Sequence, residues 1–121
     1  MSQYKELTSF VSSNLRELKK GNPELMQGFA ALSSAASKDG VLDQKTKELI
    51  AVALGIAARC DDCIAFHIQA AIRLGMTMEE LQEVIGMAVM MGGGPSLMYG
   101  SHAIAAFKEF SEEYKVIHRI C

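Results

Sequence analysis

No stretch of this sequence is long and apolar enough to span a membrane. The longest apolar run, Leu49 to Ala58, is ten residues, against roughly 20 for a spanning helix. No polybasic cluster or lipidation motif points to a membrane surface. The N-terminus, Met1-Ser2-Gln3-Tyr4-Lys5-Glu6, lacks the charged-then-apolar order of an export signal. No basic excess points to nucleic acid: the 12 Lys and Arg are scattered, and the net charge is −2. Cysteine is scarce and odd in number, at three, where a secreted disulfide scaffold shows a denser, even set. These absences lead to the expectation of a soluble, unexported, cytoplasmic protein. In that compartment a close cysteine pair is expected to be catalytic or metal-binding rather than structural.

Strand-like alternation of apolar and polar residues is missing too, as are internal repeats and low-complexity tracts. What is present is a chain that is 50% hydrophobic, too apolar for disorder. Its 121 residues suit one domain over 1–121, able to bury about two-thirds of its unfolded surface. Gly21-Asn22-Pro23, Lys38-Asp39-Gly40, Gly75 and Gly92-Gly93-Gly94-Pro95 cut it into helix-sized pieces.

Six helices are expected, making an all-α bundle. The first runs from about Ser2 to Lys19, with an apolar stripe of Leu7, Val11, Leu15 and Leu18. Asn22 caps the second, with Pro23 at its first position. Asp43 caps the third, which holds the apolar run and is apolar nearly all round. Such a helix needs burial on most sides, more than one small domain supplies, so a homo-oligomer is expected. A fourth helix follows the interruption at Arg59 to Asp62 and stops at Gly75. Thr77 and Glu80 form a capping box for the fifth, which carries Met87, Met90 and Met91 on one face. The last helix presents Ile104, Phe107, Phe110, Tyr114 and Ile117, with His118 and Arg119 near its negative end. The methionines read as adaptable core packing, and Cys121 as an incidental terminal thiol.

The chemistry sits in Cys60-Asp61-Asp62-Cys63-Ile64-Ala65-Phe66-His67. A Cys-x-x-Cys pair at a helix start brings two sulfurs within bridging reach. The unpaired N–H groups and partial positive charge there stabilise a thiolate. His67 lies one turn after Cys63 on the same face, where it can take the Cys63 proton. Glu48, twelve residues before Cys60, reaches His67 if the third and fourth helices pack antiparallel. It would then orient the ring and raise its basicity. Asp61 and Asp62 either disfavour a thiolate by their charge or cap the helix. Sequence leaves both open.

Two other readings use the same residues. Cys60, Cys63, His67 and Glu48 could ligate zinc, although structural zinc usually gathers two Cys/His pairs and here there is one. The sulfurs could also be plain buried thiols. His102, beyond the glycine turn, reads more simply as a surface or core histidine than as a lining of the same pocket. The glycine turn is no phosphate loop, since it lacks a Gly-Lys-Ser/Thr ending and a preceding strand.

Glu48, Cys60, Cys63 and His67 together match Glu-x11-Cys-x2-Cys-x3-His. In this the sequence resembles the alkylhydroperoxidase D-like and carboxymuconolactone decarboxylase superfamily over roughly Leu42 to Phe110. Leu42-Asp43-Gln44-Lys45-Thr46-Lys47-Glu48-Leu49-Ile50 and the glycine turn carry the likeness further. The resemblance implies an all-helical trimer or hexamer that needs no cofactor. It implies a thiol-dependent hydroperoxide reductase: Cys63 attacks, Cys60 resolves, His67 is the base and Glu48 the relay. The partners so implied are a small hydroperoxide and a thiol or disulfide reductant protein, or a peroxiredoxin. One position departs: Asp62 stands where the peroxidase branch often has histidine. The alternative, a lyase acting on a small lactone or acid, belongs to a branch that generally lacks the cysteine pair.

Overall fold

The computed structural model describes residues 2–120, and side chains through residue 115. Six α-helices follow one another: α1 (Gln3–Gly21), α2 (Pro23–Ser37), α3 (Gln44–Ala57), α4 (Asp61–Arg73), α5 (Met78–Gly92) and α6 (Gly94–Ile120). No strand occurs among the described residues. The helix starts are set by local chemistry. The Asn22 side chain accepts from the Leu25 amide at 3.3 Å, with Pro23 behind it, and Asp43 accepts from the Thr46 amide at 2.7 Å. At α5 the Thr77 hydroxyl takes the Glu80 amide at 3.1 Å while Glu80 takes the Thr77 amide at 2.9 Å, the expected capping box.

Two helix ends share one design. After α4, Met76 N–H bonds Ala71 C=O and Gly75 N–H bonds Ile72 C=O, with Gly75 at φ 96°. This is a Schellman end with glycine in the left-handed place. After α3 the pattern repeats: Cys60 N–H bonds Gly55 C=O and Arg59 N–H bonds Ile56 C=O, both at 3.1 Å. There the left-handed residue is Arg59, at φ 57°. An unfavourable conformation for an arginine thus immediately precedes Cys60.

Helices α3 to α6 form the core. α3 packs on α4 and α5, and both of these pack on α6. Val52, Ile56, Ile64, Ile68 and Leu81 are fully buried at its centre. On α4 the buried positions are Ile64, Ala65, Ile68, Ala71 and Ile72, the spacing of one helix face. α1 lies across α4 and α6, whereas α2, among the described residues, packs on α1 and α3 alone and buries no residue.

Two expectations need correcting. The buried residues of α1 are Tyr4 and Thr8. In the anticipated stripe Leu7 and Val11 are only half-buried, and Leu15 and Leu18 are exposed. The N-terminal turns carry the docking: Glu109 of α6 accepts from the Tyr4 amide at 2.9 Å and the Lys5 amide at 3.2 Å, filling free donors at the helix start. Second, only some methionines are core residues. Met76 is buried, but Met87, Met90, Met91 and Met98 are exposed. As expected of a helix that one small domain cannot surround, α3 leaves Ile50 and Leu54 open to solvent within the single chain. Of the side chains expected on the inner face of α6, Phe110 is buried, Ile104 and Phe107 half-buried and Tyr114 exposed. Ile117, His118, Arg119 and Cys121 lie outside the described side chains.

Candidate functional site

α3 and α4 form a helical hairpin joined by Ala58, Arg59 and Cys60. A link this short forces neighbouring antiparallel helices. Near the link, a Cβ added at Gly55 would stand 3.5 Å from Cys63 Cβ and 3.6 Å from the Ile64 amide nitrogen, so the two backbones run close. Further from the link, Glu48 meets His67: Glu48 Oε2 and His67 Nδ1 are 2.7 Å apart. The Glu48 side chain is only 12% exposed, against 42% for His67. An ionised carboxylate only accepts, so it holds the proton on Nδ1. The Nε2 lone pair is then the ring atom that can accept a proton.

Cys60 and Cys63 are joined as a disulfide, their Cα atoms 5.2 Å apart. Cys60 is the N-cap of α4, and its Sγ accepts from the Cys63 amide at 3.2 Å. The two sulfur-bearing residues differ in access: Cys63 is exposed and Cys60 half-buried. All four residues singled out in the sequence therefore lie on one hairpin. Among the described residues no group of three or more His, Cys, Asp and Glu side chains converges in metal-binding geometry.

The exposed flank of the Glu48–His67 couple opens into a cleft of about 200 Å³. Ser33, Ala36 and Ser37 of α2 face Lys47, Glu48 and Ala51 of α3 across it. Lys47 Nζ is held by the Lys38 carbonyl at 2.7 Å, which ties the end of α2 to the start of α3. The peripheral helix thereby supplies a wall beside the histidine.

A second imidazole–carboxylate couple was not anticipated. His102 Nδ1 of α6 lies 2.7 Å from Asp61 Oδ1 of α4, the residue directly after Cys60. The His102 ring also packs on Tyr99, with centroids 4.7 Å apart. Tyr4 of α1 is buried at the same corner. Burial, then the charges of Asp61 and Glu109, raise its hydroxyl pKa above the usual value. Asp61, which sequence left between capping and opposing a thiolate, is thus engaged by a histidine. No local signal announces the pair, because its members stand 41 residues apart on different helices.

Comparison with known proteins agrees with this architecture. The carboxymuconolactone decarboxylase family model matches residues 23–109. A carboxymuconolactone decarboxylase family protein of Legionella pneumophila, solved in its apo form, is 52% identical with a TM-score of 0.90; the match covers 92% of this chain and 99% of that one. A Thermotoga maritima member of the family, for which involvement in the antioxidative response is suggested, is 30% identical with a TM-score of 0.79, covering 89% and 92%. An uncharacterised protein of Cupriavidus necator is 46% identical over 97 residues, which are 80% of this chain and 86% of the relative. The chain belongs to the carboxymuconolactone decarboxylase family.

Proposed function

From that membership as premise, we propose that the chain is a thiol-dependent hydroperoxide reductase. The observation that carries this reading is the Cys60–Cys63 pair at the start of α4, with the Glu48–His67 couple on the same hairpin. His67 Nε2 takes the Cys63 proton, and the thiolate attacks the outer peroxide oxygen. The O–O bond breaks, leaving a sulfenic acid on Cys63. The departing alkoxide takes a proton from His67 and leaves as an alcohol. Cys60 then attacks the Cys63 sulfur, an S–S bond replaces S–O, and water departs. A dithiol reductant, itself oxidised to a disulfide, returns both thiols.

The differential exposure supports the order. Exposed Cys63 is the sulfur that meets substrate first, and half-buried Cys60 follows. The antioxidative role suggested for the Thermotoga maritima protein points the same way. The proposal includes a homo-oligomer, a trimer or hexamer. The stripe Leu25, Phe29 and Leu32 on α2, with Ile50 and Leu54 on α3, is apolar surface left open in one chain.

The test is a thiol count after mixing reduced protein with a hydroperoxide. The expected result is loss of the Cys60 and Cys63 thiols together with peroxide consumption, both abolished in Cys63→Ser. Persistence of both thiols beside unreacted peroxide refutes the reading. The family's name gives a second reading, a lyase or hydrolase acting on a small lactone or acid with His67 or His102 as base, which predicts activity that survives Cys63→Ser.

A further inference from the structure

We propose that His102 is a positioning residue for the Cys60 thiol, acting through Asp61. This rests on the hydroperoxide-reductase reading, in which Cys60 performs the second step. α4, which starts at the disulfide, carries one member of each of two imidazole–carboxylate couples, the other members coming from α3 and α6. Glu48–His67 joins α3 to the face of α4 one turn beyond Cys63. Asp61–His102 joins α6 to the residue that follows Cys60.

The physical case turns on where Asp61 stands. Cys60 is the N-cap of α4 and Asp61 its first residue. The helix start favours a thiolate on Cys60, and the amide of Cys63 already points at its sulfur. A free Asp61 carboxylate beside that sulfur opposes the same thiolate by like charge. Asp62 adds to the opposition, and among the described residues no side chain pairs with it. The His102 N–H donates to Asp61 at 2.7 Å. This ties the carboxylate toward α6 and spreads its charge over a charge-assisted hydrogen bond. Packing keeps the tie in place. The Tyr99 ring lies against the imidazole, and the buried Tyr4 closes the corner from α1, itself anchored by Glu109. The Cys60 thiol must lose its proton before it attacks the sulfenic acid on Cys63. His102 thus serves resolution, while His67 serves the attack on peroxide.

The experiment compares His102→Ala and His102→Asn with wild type. An asparagine amide can donate to Asp61 from about the position of Nδ1. After one equivalent of hydroperoxide, the Cys63 sulfenic acid is trapped with dimedone at timed intervals, alongside the appearance of disulfide. The expected result is an unchanged rate of sulfenic acid formation. Its conversion to disulfide is expected to slow about fivefold in His102→Ala, with most of the rate restored in His102→Asn. Equal conversion in His102→Ala and wild type overturns the proposal, as does equal slowing in both variants.

A second measurement does not depend on peroxide. In Cys63→Ser, iodoacetamide labelling of the Cys60 peptide at pH 7.5 should slow about fivefold on adding His102→Ala, and recover with His102→Asn. Wild type that forms no sulfenic acid would sink the reductase reading alone. An unchanged labelling rate would sink the role of His102 alone.

Discussion

Replacing Glu48 by glutamine removes one negative charge and almost no volume. The side chain is 12% exposed and 2.7 Å from His67 Nδ1. The amide oxygen of glutamine can still accept from Nδ1–H, so the tautomer and ring position survive. What is lost is the field that favours a positive imidazole after His67 takes a proton. A hydrogen bond to a charged acceptor contributes about 1.5–3 kcal/mol. The His67 side chain is 42% exposed, so water screens part of this. A discounted loss of about 1–1.5 kcal/mol remains, or roughly tenfold in the rate of proton removal.

The assay isolates the first step by working in Cys60→Ser, where Cys63 oxidation cannot proceed to the intramolecular disulfide. Reduced protein is mixed with excess hydroperoxide in a stopped-flow instrument, and loss of the Cys63 thiol is followed. Glu48→Gln should slow this phase about tenfold. His67→Ala should slow it further, and adding Glu48→Gln to His67→Ala should cost nothing more, because the carboxylate acts only through the ring. A Glu48→Gln rate within twofold of the parent refutes the relay. So would losses in the two variants that simply add.

Arg59→Gly should stabilise the protein by about 1 kcal/mol, since the left-handed φ of 57° costs arginine what glycine does not pay. Urea denaturation of the oxidised protein checks this, and an unchanged or lower midpoint contradicts it. Acid should destabilise the fold through its caps. The Thr46 hydroxyl and amide lower the Asp43 pKa from 3.8, while the Thr77 amide and Lys45 lower that of Glu80 from 4.5. Their stabilising contribution is complete above those ordinary values and is lost as pH falls through the lowered ones. Thermal midpoints measured from pH 6 to pH 2.5 should therefore drop on the acid side, with a shallower drop in Asp43→Asn.

The legible parts of this molecule are those whose partners lie close in sequence or on either side of a short link. Asn22, Asp43 and Thr77 each satisfy an amide three residues on, so side-chain type alone announces them. Glu48 and His67 are 19 residues apart, but the intervening chain is one helical hairpin with a three-residue link. Its register was nearly determined. His102–Asp61 and Glu109–Tyr4 span 41 and 105 residues, and they depend on how α6 crosses α4 and α1. Periodicity cannot supply that crossing. For the same reason it identified an apolar face on α1 without showing that Leu15 and Leu18 lie exposed on it. The same holds for the methionines of α5: a stripe at helical spacing says that a face is apolar, not what covers it.

Cys60 combines two duties that are separate at the other helix starts. Asn22, Asp43 and Thr77 cap with oxygen, whereas α4 is capped by sulfur, a weaker acceptor, at 3.2 Å from the Cys63 amide. A disulfide-forming cysteine therefore occupies a position where stability alone would favour serine. Cys60→Ser should consequently stabilise the reduced protein by about 0.5–1 kcal/mol through a better cap, while removing the disulfide. The comparison must be made under strong reductant, so that neither protein carries a cross-link that restricts its unfolded chain. Urea unfolding followed by circular dichroism reads the difference. A Cys60→Ser midpoint below that of the reduced parent would mean that packing around the sulfur, rather than the cap, dominates at this corner. With the expected sign, the start of α4 is a place where a disulfide-forming cysteine stands in for the more stabilising cap.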